Sequence, residues 1–160
     1  MGKVPFTPDG YKKLKAELNQ LKTVERQQII RDISEARDHG DLSENAEYDA
    51  AKNRQSFVEG RINYLSERLT RAEIIDPTQM ASLDQVRFGV FVTLVDEESG
   101  EEKIYQLVGE DEADVEQGRL SIAAPLARAL LGKEVDDDVL LQLPAGQKNY
   151  TILEISATAP

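Results

Sequence analysis

Val58, Ile62, Leu65, Leu69 and Ala72 succeed one another at spacings of four, three, four and three. That is the apolar seam of a helix packed along a second helix. Continued backwards, the register passes through Gln55, Ala51, Tyr48 and Glu44. Upstream, Leu14, Leu18, Leu21, Ile29, Ile33 and Ala36 mark one face of an earlier helix, with a polar interruption around Glu25 and Gln28. Thr7-Pro8-Asp9 is its start signal: a hydroxyl to cap free amides, a proline suited to the first turn, and an acid that favours the dipole. Asp38-His39-Gly40 is its stop, with Gly40 suited to a left-handed cap. So short a connection forces the two helices into an antiparallel pair. Residues 8–39 as helix would span roughly 45 Å at 1.5 Å per residue. Such a rod has too little core to be a globular domain, and reads as an arm.

The period changes after Asp76-Pro77-Thr78. Val86, Phe88, Val90, Val92 and Leu94 alternate with other residues as in a strand, and Asp96-Glu-Glu-Ser-Gly100 signals a turn before a returning strand from Lys103 to Val108. Leu120 to Ile122 suggests a short strand, and Pro125 opens a compact helix from Leu126 to Leu131, closed by Gly132. Val139–Leu143 and Tyr150–Ile155 read as strands parted by Pro144-Ala-Gly146. The expectation is an α+β chain of two domains: an antiparallel coiled-coil hairpin over 1–76, a linker over 77–83, and a mainly antiparallel sheet with one short helix over 84–160.

Charge divides along the same line. Residues 1–75 hold 13 Lys or Arg against 13 Asp or Glu, whereas residues 76–160 hold 6 against 17, so the whole net charge of −11 sits in the second part. This argues against general nucleic-acid binding, which needs a basic surface. Cysteine is absent, which excludes disulfides, thiolate zinc sites and a cysteine nucleophile. No apolar run approaches membrane-spanning length and the N-terminal residues lack a signal-peptide core, so a cytoplasmic protein without membrane contact is expected.

Residues 38–47 between the helices, Asp-His-Gly-Asp-Leu-Ser-Glu-Asn-Ala-Glu, admit two readings. Asp41 with Glu44 three residues on has the form of a capping box for the second helix. Alternatively, carboxylates gathered at the end of a thin rod form an oxygen-rich group that binds Mg²⁺ weakly alone and needs further ligands from elsewhere. Beside another protein's metal site they would complete a two-metal centre.

The run from Ala36 to Ala51, Ala-Arg-Asp-His-Gly-Asp-Leu-Ser-Glu-Asn-Ala-Glu-Tyr-Asp-Ala-Ala, closely resembles the tip signature of the Gre family of bacterial transcript-cleavage factors. The resemblance extends through Pro5-Phe-Thr-Pro8, Phe57-Val-Glu-Gly-Arg-Ile62, Val108-Gly-Glu-Asp-Glu-Ala-Asp114 and Pro125-Leu-Ala-Arg-Ala-Leu-Leu-Gly-Lys133, nearly the whole chain. It implies an FKBP-like second domain that grips bacterial RNA polymerase, and a coiled coil that enters the secondary channel. It implies that Asp41 and Glu44 are donated to the polymerase active site, share its Mg²⁺, and promote hydrolysis of backtracked RNA, with no complete enzyme in this chain. Arg37, Lys52 and Arg54 would be the basic patch that meets the extruded RNA 3′ end, their small number matching the GreA branch of the family. Ala124, Pro125 and Leu126, within the segment from Ile122 to Leu131, would contact polymerase, although Leu126 and Leu130 also suit a core.

Ser43 and Asn45 suit bonds either to turn amides or to substrate, and Tyr48 suits packing behind the tip. His39, the only histidine, reads as a polar turn residue. A monomer is expected, because the coiled coil closes within one chain. Prolyl isomerisation is not inferred from the fold. The competing functions are a Gre-like inhibitor of the same channel, a coiled-coil chaperone or scaffold, and an independent nuclease. Asp41-Leu-Ser-Glu44 favours cleavage over inhibition, a scaffold would not need the two carboxylates, and two or three exposed acids are few for a nuclease.

Overall fold

The computed structural model describes residues 2–39 and 45–160. In chain order the elements are β1 (Val4–Phe6), α1 (Pro8–Gln20), a π-helical turn (Leu21–Glu25), α2 (Arg26–Asp38), α3 (Ala46–Thr70), β2 (Ala72–Ile74), β3 (Phe91–Asp96), β4 (Glu102–Val108), β5 (Arg119–Ser121), α4 (Pro125–Leu130), β6 (Asp138–Leu143) and β7 (Gly146–Ser156). Two compact units emerge: Tyr11–Ala72 with Gly2, and Lys3–Gly10 with Glu73–Pro160. This partition departs from the boundaries expected at 76 and 84. Residues 3–10 cluster with the second unit, and the expected linker contains a turn of 3₁₀ helix at Pro77–Gln79 with Pro77 buried.

In the first unit, Ile29 and Ile33 of α2 meet Ala51, Val58 and Ile62 of α3, flanked by Leu18, Leu21 and Tyr48. The π turn explains the polar interruption in the sequence. A strict heptad after Leu21 would place Gln28 on the seam, but the next buried residue is Ile29, eight positions on. The π turn absorbs one extra residue. Leu18, Leu21, Ile29 and Ile33 thus share a face, while Gln28 is exposed. Bidentate arginines tie the helices: Arg26 donates to both Glu59 oxygens at 2.8 Å, and Arg61 to both Glu17 oxygens at 2.7 and 3.1 Å.

Those pairs carry a pH dependence. Hydrogen bonds from Arg26, followed by its charge, hold the Glu59 carboxyl below its ordinary range. Gln28 and then Arg54 do the same for Asp32. A carboxylate depressed in the folded state stabilises above its ordinary pKa, and the contribution is lost as pH falls through the folded value. The hairpin's helical melting temperature is therefore expected to hold at neutral pH and drop below about pH 4. Glu59→Gln should show a smaller drop than the wild type; equal drops followed by circular dichroism would locate the acid sensitivity elsewhere.

In the second unit the five-stranded sheet runs β5-β4-β3-β7-β6. Its pairings are antiparallel except β4 with β5, which is parallel. The sheet is mainly antiparallel, as expected, with one parallel pairing added: two short 3₁₀ turns between β4 and β5 carry the chain back to the same end of the sheet. Val92, Leu94, Leu107, Leu130 and Ile152 are fully buried in its core. The alternation from Val86 does not make one strand. Val86 and Val90 are buried, but Gly89 turns the chain at φ 89°, where an added Cβ would stand 3.2 Å from Pro77 Cδ, and β3 starts only at Phe91.

Within this unit the segment 3–10 is held by one carboxylate. The side chain of Glu112 is 1% exposed. It accepts from Thr7 N (2.9 Å), from Thr7 Oγ1 and from Gly109 N (3.3 Å), and pairs with Arg119 Nη2 at 2.9 Å. Thr7 Oγ1 in turn accepts from Gly10 N at 3.1 Å, the cap expected at Thr7-Pro8-Asp9. The packing is close enough to require glycine twice: a Cβ on Gly10 would collide with the Glu112 carboxylate, and one on Gly109 would lie 2.5 Å from Pro5 O.

Candidate functional site

The two helices of the hairpin approach the connecting segment with their ends fastened together. Asn45 is the N-cap of α3: its Oδ1 accepts from Tyr48 N at 3.0 Å. Its Nδ2 donates across to Ala36 O of α2 at 2.5 Å. One side chain thus satisfies an amide at the start of one helix and a carbonyl near the end of the other. Asp41, Ser43 and Glu44 lie outside the described residues. The cap nevertheless falls to Asn45, which corrects the capping-box reading of Asp41 and Glu44. Asparagine directly before Ala46-Glu47 was the signal for this, since it is among the best N-cap residues. Glu47 and Asp49 in the first turn of α3 favour its dipole. His39 follows α2 as its C-cap and lies 3.3 Å from Glu47, both largely exposed. Tyr48 packs half-buried against the seam.

Asn45→Ala is expected to cost about 1 kcal/mol of hairpin stability through the lost cap. Asn45→Asp keeps an acceptor for the amide but loses the donor to Ala36 and turns a carboxylate towards a carbonyl. Urea denaturation should therefore find the aspartate variant below wild type, and parity would mean that the cross-helix bond is inconsequential.

The expected basic residues do not form one patch. Arg37 and Lys52 line the same groove with Ile30, Ile33, Ser34 and Gln55. Lys52 Nζ donates to Gln55 Oε1 at 3.1 Å. Arg54 lies in a different groove with Asp32, Glu35 and Glu47, and its guanidinium pairs with Asp32 at 3.0 Å. In the second unit, Ala124 caps α4 and Pro125 is its exposed first residue. Leu126 packs half-buried on the core that holds Ala127 and Leu130. Among the described residues no group of three or more His, Cys, Asp or Glu side chains is placed to hold a metal ion, and no helix is long and apolar enough to cross a membrane.

A chain of this design, a capped hairpin followed by a mixed sheet, matches two family descriptions in series. Residues 4–74 match "Transcription elongation factor, N-terminal" and residues 80–157 match "Transcription elongation factor, GreA/GreB, C-term". The chain belongs to the GreA/GreB family. It is 55% identical over 155 residues to transcription elongation factor GreA of Alkalilimnicola ehrlichii, covering 97% of this chain and 98% of the relative. The same identity and coverage hold for GreA of Ruegeria pomeroyi. Among solved structures, GreA factor homolog 1 of Thermus thermophilus is 30% identical, covers 96% of this chain and 98% of its own, and aligns with a TM-score of 0.44. Phe57 is the feature of this GreA/GreB hairpin that sequence periodicity did not single out. It neighbours the buried Val58 yet is itself 75% exposed.

Proposed function

We propose that this chain is a transcription elongation factor of the transcript-cleavage type, which lends two carboxylates to bacterial RNA polymerase and has no complete active site of its own. The observation that carries the reading is the fastened hairpin end. Asn45 joins α2 to α3 directly beside the segment that contains Asp41 and Glu44, in a chain of the GreA/GreB family. A rod with this closure suits passage along the polymerase secondary channel, and the protein acts as a monomer in the cytoplasm.

Two carboxylates are suitable oxygen donors for Mg²⁺ but too few to hold it alone. The ion is therefore shared with the polymerase, and when bound it supplies charge neutralisation at the scissile phosphate. Asp41 and Glu44 would be its ligands from this chain, and their carboxylates would accept hydrogen bonds from the attacking water and orient it. Arg37 and Lys52, on one groove, face the phosphates of the extruded RNA 3′ end. Arg54 is already neutralised by Asp32 and contributes less. Ala124, Pro125 and Leu126 at the start of α4 meet the polymerase surface.

Stalled elongation complexes with displaced RNA 3′ ends and Mg²⁺ provide the test. Short 3′ fragments should appear quickly only when polymerase and this protein are both present. Cleavage by the protein alone, or none beyond the polymerase's own slow rate, would overturn the reading.

A further inference from the structure

Along one edge of the hairpin, two cross-helix ion pairs bracket a gap. Arg61 pairs with Glu17 at 2.7 Å and Arg54 with Asp32 at 3.0 Å. Between them on α3, at helical spacings of three and four, stands Phe57. A groove of about 540 Å³ runs past it, lined also by Glu17, Leu21, Glu25, Arg54 and Val58. Glu25 sits in this groove and has no ion-pair partner among the described residues. The edge therefore carries a carboxylate without a cation, opposite an aromatic ring where the ladder would place an arginine. The helices do not need the ring for their own packing, because it is 75% exposed.

We infer that this groove is a docking site for a cationic side chain, lysine or arginine, on the wall of the polymerase channel. The incoming charge completes the missing rung with Glu25, and its stem or guanidinium lies on the Phe57 ring, where a cation–π contact adds to the buried apolar area. Charge complementarity chooses this occupant over an acidic or wholly apolar one. Aromatic anchors of this kind dominate interface energetics when the surrounding polar rim excludes water. Phe57 lies eleven residues beyond the first residue of α3, roughly 16 Å along the axis, so the contact would grip the shaft rather than the reacting end. The inference rests on the polymerase-binding reading above.

Displacement of fluorescently labelled wild-type protein from polymerase measures the contact independently of cleavage. Phe57→Ala should weaken binding about tenfold or more, as hot-spot truncations do, and Glu25→Gln about threefold. Phe57→Arg supplies the missing rung from within the hairpin, so it should keep or raise the melting temperature while weakening binding at least as much as alanine. Val24→Ala removes an exposed apolar side chain that does not line the groove and should bind like wild type. Affinities of Phe57→Ala and Phe57→Arg equal to wild type would overturn the inference while leaving the cleavage reading intact. Wild-type protein that binds through Phe57 yet stimulates no cleavage would support the inference and sink the cleavage reading. Failure of the wild type to bind polymerase would overturn both.

Discussion

Replacing Asp41 and Glu44 together by alanine is expected to slow transcript cleavage on the order of 100-fold, while polymerase binding persists. The size follows from what the two carboxylates supply. Each would contribute negative charge and a fixed acceptor at a point where a metal ion and a water must be held together, and loss of either disperses the arrangement. The single substitutions should consequently cost nearly as much as the double one, since groups acting as a unit are strongly non-additive. Misfolding is not expected to confuse the result. Asn45 caps α3 and bonds to Ala36, and that closure is untouched by the substitutions. The decisive measurement is fragment release from stalled complexes at saturating protein. Equal cleavage by mutant and wild type would place the chemistry elsewhere. Equal and negligible cleavage, with binding retained by both, would favour a channel inhibitor or a scaffold.

The largest loss of stability is expected from Glu112→Ala. This carboxylate is almost wholly enclosed and holds the amide and hydroxyl of Thr7, the amide of Gly109 and the guanidinium of Arg119. Its removal takes the ion-pairing carboxylate from a half-buried arginine, which keeps Gln106 and a backbone carbonyl, and leaves a buried amide without an acceptor. Breaking such a pair costs about 3 kcal/mol or more, which would lower the melting temperature of the unit containing the sheet by on the order of 10 °C. Glu112→Gln keeps the shape and one acceptor and should recover part of the loss. Calorimetry with both variants checks this, and a fall of only a degree or two for alanine would show that the segment 3–10 is held by its apolar residues, Val4 and Phe6, instead.

That clamp was also the least legible part of the sequence. Thr7 and Glu112 are 105 positions apart, and neither belongs to a periodic pattern. β1 and β2 are three residues each, too short for an alternation to register. The hairpin was legible because its signal is local and repeated: Val58, Ile62 and Leu65 are all buried as their spacing requires. The sheet strands after β3 were legible for the same reason, while the turn at Gly89 and the parallel β4–β5 pair depend on contacts outside any short window. At the site, residue types pointed to Asp41 and Glu44, but the cross-helix bond of Asn45 needed three-dimensional placement. So did the separation of Arg54 from Arg37 and Lys52, because neighbours in sequence on a helix can face opposite sides.

The π turn at Leu21–Glu25 sets an azimuth. One residue of α-helix corresponds to about 100° of rotation, so without the π turn the surplus residue would turn Ile29 and Ile33 away from the seam by that angle. Deleting one residue between positions 21 and 25 should instead give regular α-helix at heptad spacing, with the same face towards α3. A probe that must reach into a partner needs both a reach and a heading, and here the two are set separately: helix length fixes the first, and the π turn holds the second against a surplus residue.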